Sequence, residues 1–231
     1  MCFDLDSGPP ISVISGAAIS HEDLVLEASD GNKLAAFLAT PDEAAKAGVV
    51  ILPDVRGLYR FYEELALRFA ERGYAALAID YFGRTAGVAK REDDWDYMAE
   101  VEKTRQATVA ADTRAAVERL RAEGCTSIFT VGFCFGGSSS WLAGADGHGL
   151  AGAVGFYGNP TRERFGEPSV VARVGEITVP ILALQGGDDA GITHEDNEAF
   201  ERALTEAGVQ HEIVEFEGAP HSFFDRKQAE F

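Results

Sequence analysis

The sequence predicts an α/β fold, a mostly parallel central sheet flanked by helices, on three observations. Short runs of β-branched and small apolar residues recur along the chain, and helix-length stretches lie between them. One run passes through Gly132-Phe133-Cys134-Phe135-Gly136 straight into helix-competent residues. Strands that alternate with helices are joined by crossovers, which makes neighbouring strands parallel.

The elements follow in order. The first twenty residues, with Gly8-Pro9-Pro10 and Gly16, read as an extended arm over the surface. Strand-like runs come at residues 32–39, 48–53, 75–80, 127–132, 151–157, 179–185 and 211–216. Most are apolar without interruption, as strands buried on both faces should be. Residues 63–72 read as a helix, and so do residues 94–123, where Val101, Val109, Val117 and Leu120 supply apolar positions among many charges. A helix can begin at Ser138 and run to Gly144, and residues 194–207 form another that Gly208 stops. No linker, low-complexity tract or repeat divides the 231 residues, so a single domain is expected.

Composition narrows the function. Acidic side chains outnumber basic ones 38 to 20, and the formal charge of −18 argues against nucleic acid as a partner. With 46% hydrophobic residues and 8 prolines, the chain has the apolar material for a sizeable core and is expected to be water-soluble. No apolar run approaches membrane-spanning length, and Asp4 and Asp6 stand where a secretory leader would carry Lys or Arg, so a cytoplasmic location is expected. Cys2, Cys125 and Cys134 form no Cys-x-x-Cys pair and the five histidines show no ligand spacing; neither a disulfide framework nor a metal is indicated, and nothing implies a cofactor. Cys2 and Cys125 read as small buried hydrophobes.

Cys134 is different because of its setting. A nucleophile on a sharp strand-to-helix turn needs glycine on both sides, where a side chain would obstruct the reversal, and Gly132 and Gly136 stand there. The same glycines also permit close helix–strand packing. At the helix start, free N–H groups and the dipole favour thiolate over thiol. The Phe135 N–H then points toward a developing oxyanion, with the Val55 N–H, in Pro53-Asp54-Val55-Arg56-Gly57, as its partner.

Such an elbow needs an acid after a later strand and a histidine near the C-terminus. The run at 179–185 delivers Gly186-Gly187-Asp188-Asp189, and the run at 211–216 is followed by His221-Ser222-Phe223. Cys134, His221 and one of the two aspartates can meet at the carboxyl edge of the sheet, and the residue pattern alone leaves Asp188 and Asp189 level. His21, His148, His194 and His211 occupy positions without that relation.

These motifs, with the opening Met1-Cys2-Phe3-Asp4-Leu5-Asp6-Ser7 and Pro9-Pro10, resemble the dienelactone hydrolase family, or carboxymethylenebutenolidases, within the α/β-hydrolase fold. Cys at the elbow is the specific feature, since most enzymes of this fold carry Ser. The resemblance implies Cys134 as nucleophile, His221 as base and Asp189 as acid, the last closing a G-x-x-D turn. It further implies Asp54, in a position commonly held by Glu, as a carboxylate beside the resting thiol. Arg84, and Arg226 after the histidine, are implied as holders of a substrate carboxylate, to which a planar guanidinium is suited. Similar proteins continue into a further helix beyond the position of Phe231. The activity implied is opening of a small carboxylate-bearing lactone through a thioester. A broader small-ester or thioester hydrolase and a non-catalytic thiol sensor are the alternatives.

Overall fold

The computed structural model describes residues 3–4, 6–89, 91, 95–228 and 230–231. Eight strands form one sheet: β1 (Ile19–Glu27), β2 (Lys33–Pro41), β3 (Ala47–Leu52), β4 (Ala75–Ile79), β5 (Ser127–Phe133), β6 (Gly152–Phe156), β7 (Ile181–Gly186) and β8 (His211–Phe216). Their order across the sheet is β1-β2-β4-β3-β5-β6-β7-β8. β1·β2 and β2·β4 are antiparallel and every later pairing is parallel. The helices are α1 (Arg60–Ala70), α2 (Gly83–Ala86), α3 (Met98–Val101), α4 (Gln106–Ala122), α5 (Phe135–Ala143), α6 (Val170–Arg173) and α7 (His194–Ala207). They divide the apolar interior into two cores. One lies between the sheet and α4, α5 and α7, around Leu77, Leu120, Trp141 and Phe200; the other lies under α1, around Ile51, Leu65, Phe133 and Tyr157.

All seven predicted strands are present, displaced by two residues at most. β1 is additional: it sits at the sheet edge, exposed along most of its length, so it carries no continuous apolar signal. The predicted helix over 94–123 is broken. Its start at Asp94 lies outside the described residues, α3 ends after Val101, and the Thr104 hydroxyl bonds the Val101 carbonyl at 2.6 Å. Arg105 is then extended, and α4 starts at Gln106. Residues 194–207 form a helix as expected, with Thr193 and Asp196 in a capping box and Gly208 left-handed at φ 70°.

The arm is irregular as expected, but it does not rest only on the surface. Phe3 is 2% exposed and stacks on Phe61 with ring centroids 3.9 Å apart. Ser7 bonds Asp225, the Arg226 N–H reaches the Gly8 carbonyl at 2.9 Å, and Lys227 pairs with Asp4 and Asp6. Among the described residues no helix is long and apolar enough to cross a membrane.

Candidate active site

The parallel strands place three chain reversals at one edge of the sheet. At the end of β5, Cys134 adopts φ 55°, ψ −111°, a backbone conformation costly for any residue with a side chain. Its neighbours explain how this is held. A Cβ on Gly132 would run into the Gly136 carbonyl, and one on Gly136 would run into the carbonyls of Leu52 and Pro53 at the end of β3. The two glycines are therefore required by contact, and they draw the loop after β3 against the start of α5. The Cys134 N–H bonds the Phe156 carbonyl at 3.0 Å.

At the end of β7, Asp189 turns its carboxylate inward: Oδ1 accepts from the Gly191 N–H at 2.8 Å and Oδ2 bonds His221 Nδ1 at 2.5 Å. Asp188 is exposed, so the structure brings Asp189 to the histidine. The turn bearing His221 approaches β7 closely enough that a Cβ on Gly186 would meet the Ala219 carbonyl. The imidazole lies 5.0 Å from the Tyr157 ring, between centroids, and is hydrogen-bonded to Cys134 as well as to Asp189. Burial works against the charged ring, but those two bonds outweigh it and hold the His221 pKa at about 9.

Asp54 is fully buried beside this group. Its carboxylate accepts from the Arg56 N–H at 2.8 Å and the Tyr59 hydroxyl at 3.2 Å, while its own N–H donates to the Tyr62 hydroxyl at 2.8 Å. Burial raises its pKa to about 6; the bond from Arg56 opposes that rise and negative charge on Cys134 adds to it. Phe135 opens α5, so its N–H has no intrahelical acceptor. Among the described residues neither that N–H nor the Val55 N–H is given to an acceptor.

The two arginines lie apart from this group. Arg84 bonds Asp112 at 2.6 and 2.7 Å and Asp30 through Nε and Nη2, while Arg226 donates to the Asp6 carbonyl under the arm. The remaining histidines also have other settings. His194 faces Glu215, His211 faces Glu201, and His21 stacks on Phe37. His148 is buried, and burial together with Arg114 and Arg121 lowers its pKa to about 4. Among the described residues no cluster of His, Cys, Asp and Glu is arranged to hold a metal ion. Tyr59, Tyr62 and Tyr157 also line the site and carry no motif in the sequence; Tyr59 precedes α1 in extended conformation and Tyr62 lies in its first turn.

A mostly parallel sheet entered antiparallel at one side, with a strained strand-to-helix elbow followed in chain order by an acid and a histidine, is the α/β-hydrolase architecture. The dienelactone hydrolase family model matches residues 34–230, and the chain belongs to that family. A provisionally named carboxymethylenebutenolidase of Yersinia pestis is 29% identical over an alignment of 203 residues that covers 84% of this chain and 76% of that protein. The carboxymethylenebutenolidase of Pseudomonas putida is 28% identical over 73% of this chain and 71% of its own length. Among solved structures, a provisionally named dienelactone hydrolase from Klebsiella pneumoniae superposes with a TM-score of 0.82 at 27% identity, covering 89% of this chain and 88% of that one. The protein is accordingly a hydrolase of this broad type.

Proposed function

We propose that the protein hydrolyses a small ester or lactone through a thioester on Cys134, with a carboxylate-bearing dienelactone as its leading substrate. The observation that carries this reading is His221 bonded at once to a buried carboxylate and to a thiol on a strained elbow. With Nδ1 held by Asp189, the other ring nitrogen is left for sulfur. His221 takes the thiol proton and Sγ attacks the acyl carbon, forming a C–S bond as the carbonyl electron pair moves to oxygen. The N–H groups of Phe135 and Val55 stabilise that oxyanion. Collapse breaks the bond to the leaving oxygen, which receives the proton from the imidazolium; in a lactone the leaving oxygen stays on the opened chain. Water, giving a proton to His221, then attacks the thioester, and the C–S bond breaks to restore the thiolate and release the acid. An ionised Asp54 opposes the thiolate by like-charge repulsion, and the His221 imidazolium favours it.

The test is ultraviolet-monitored turnover of a carboxylated dienelactone beside a neutral p-nitrophenyl ester. Dienelactone turnover is expected, falling at least about 10³-fold in Cys134→Ala. Ester turnover alone would move the assignment to a broader ester or thioester hydrolase, and turnover of neither, or turnover that survives Cys134→Ala, would overturn the reading.

A further inference from the structure

Four residues at the carboxyl end of β6, Phe156-Tyr157-Gly158-Asn159, meet all three of the chain reversals that carry Cys134, Asp189 and His221. The Phe156 carbonyl accepts the Cys134 N–H at 3.0 Å, and the Tyr157 ring lies against the His221 imidazole. Asn159 supplies the third contact. Its Nδ2 donates to the Gly191 carbonyl at 2.9 Å, and the Gly191 N–H donates to Asp189 Oδ1 at 2.8 Å. The other carboxylate oxygen, Oδ2, bonds His221 Nδ1 at 2.5 Å. A line of bonds therefore runs from Asn159 through a single residue, Gly191, to the carboxylate and on to the imidazole.

The segment has little freedom. Tyr157 is fully buried and holds φ 37°, a positive value that costs energy for a residue with a side chain, with its N–H on the Leu184 carbonyl at 2.8 Å. Gln185, within β7, donates from Nε2 to the Gly158 carbonyl at 3.0 Å. A Cβ on Gly158 would meet the Ser138 nitrogen, so the segment is wedged against the first turn of α5, and the Ser138 hydroxyl donates to the Asn159 carbonyl at 2.9 Å. Asn159 Oδ1 accepts from the N–H groups of Thr161 and Arg162 at 3.1 and 2.8 Å. Both ends of the side-chain amide are thus engaged, which fixes which way it faces. The exposed Arg162 side chain reaches the same Gly191 carbonyl, at a longer 3.3 Å.

We infer that Asn159 is a positioning residue for the acid–base pair: it holds the loop at Gly191 so that Asp189, with Oδ1 occupied, presents Oδ2 to His221. The inference rests on the hydrolase reading above and deepens it by a residue that acts through Gly191 and Asp189. A carboxylate fixed at both oxygens offers the ring one direction. Released at Oδ1, it can turn about its own terminal torsion, which is broad, and the bond that favours the protonated imidazole weakens. Asp189 and Cys134 are the charged groups that act on His221.

Asn159→Ser keeps a hydroxyl acceptor for the Thr161 and Arg162 N–H groups and is too short to reach Gly191; Asn159→Thr serves the same purpose should the first variant fail to fold. In a Cys134→Ser background, where the imidazole titrates without the thiol, NMR of the His221 ring should show its proton lost at a pH lower by about one unit in Asn159→Ser. With the thiol in place, kcat for a p-nitrophenyl ester should fall about tenfold or more while KM changes less than about twofold. Arg162→Gln removes only the longer bond and should leave the titration where it is. A His221 titration unmoved by Asn159→Ser or Asn159→Thr, or moved equally by Arg162→Gln, would overturn the inference while leaving the hydrolase reading intact, since activity lost without that shift is what a merely structural role gives. If the unmodified protein turns over no ester, the hydrolase reading fails and the titration alone decides: a shift supports the positioning role, and its absence overturns it.

Discussion

Asp54 shows how much a single buried group can weigh on the whole. Its carboxyl is fully buried, and its pKa is raised from 3.8 to about 6. Between those values the folded protein holds a proton that the unfolded chain has released, so stability falls as pH rises through that window and the loss is complete above it. A shift of about two units corresponds to about 3 kcal/mol. Asp54→Asn keeps an acceptor for the Arg56 N–H and removes the charge. It should raise the melting temperature at pH 8, by about 2 kcal/mol of stability, and make no difference near pH 4. Thermal unfolding of both proteins at the two pH values reads this directly. His221 runs the same way in a higher window: raised from 6.5 to about 9, it stabilises the fold below pH 6.5 and loses that contribution as pH rises through 9.

At the scale of elements, the parallel strands and the elbow were legible because burial on both faces enforces continuous apolar runs and because Gly132 and Gly136 are sterically required. β1 was not legible, since an exposed edge strand has no such constraint. The break before α4 was hidden because Thr104 and Arg105 carry no Gly or Pro signal, and it is marked instead by the Thr104 hydroxyl on the Val101 carbonyl and by Arg105 at the N-cap of α4 with its N–H on the Thr108 hydroxyl. Chain order points to Cys134, His221 and one of two aspartates as the proposed triad, and the structure shows that Asp189, not Asp188, turns its carboxylate to the histidine. Arg84 illustrates the limit of local pattern: Asp30 and Asp112, distant in sequence, claim its guanidinium. That ion pair ties α2 to α4 and to the turn after β1. Asp112 is 1% exposed, and breaking a buried pair leaves an uncompensated charge costing about 3–5 kcal/mol. Arg84→Met should therefore destabilise by roughly that amount in urea unfolding, and adding Asp112→Leu should recover much of the loss.

For the whole molecule, the arm and the segment after His221 act as one closure. Phe3 fills the core beneath α1 and touches Tyr157, which in turn touches the His221 imidazole. The apolar part should dominate: Phe3→Ala is expected to cost about 3 kcal/mol, whereas Lys227→Ala, which removes an exposed ion pair with Asp4 and Asp6, should cost less than about 1 kcal/mol. Differential scanning calorimetry distinguishes the two.

The sheet has two terminal strands, and each presents main-chain groups to whatever approaches. β1 carries Glu22, Asp23 and Glu27, and β8 carries Glu212 and Glu215. Two molecules meeting edge to edge would therefore bring mainly acidic rows together, although Arg119 offsets Glu22 and His194 faces Glu215. The acidic composition acts here as a spacer between sheets. Light scattering should show dispersed protein in dilute buffer at pH 7, and growing assemblies as acidification to about pH 4 neutralises those rows, sooner when added salt screens what charge remains.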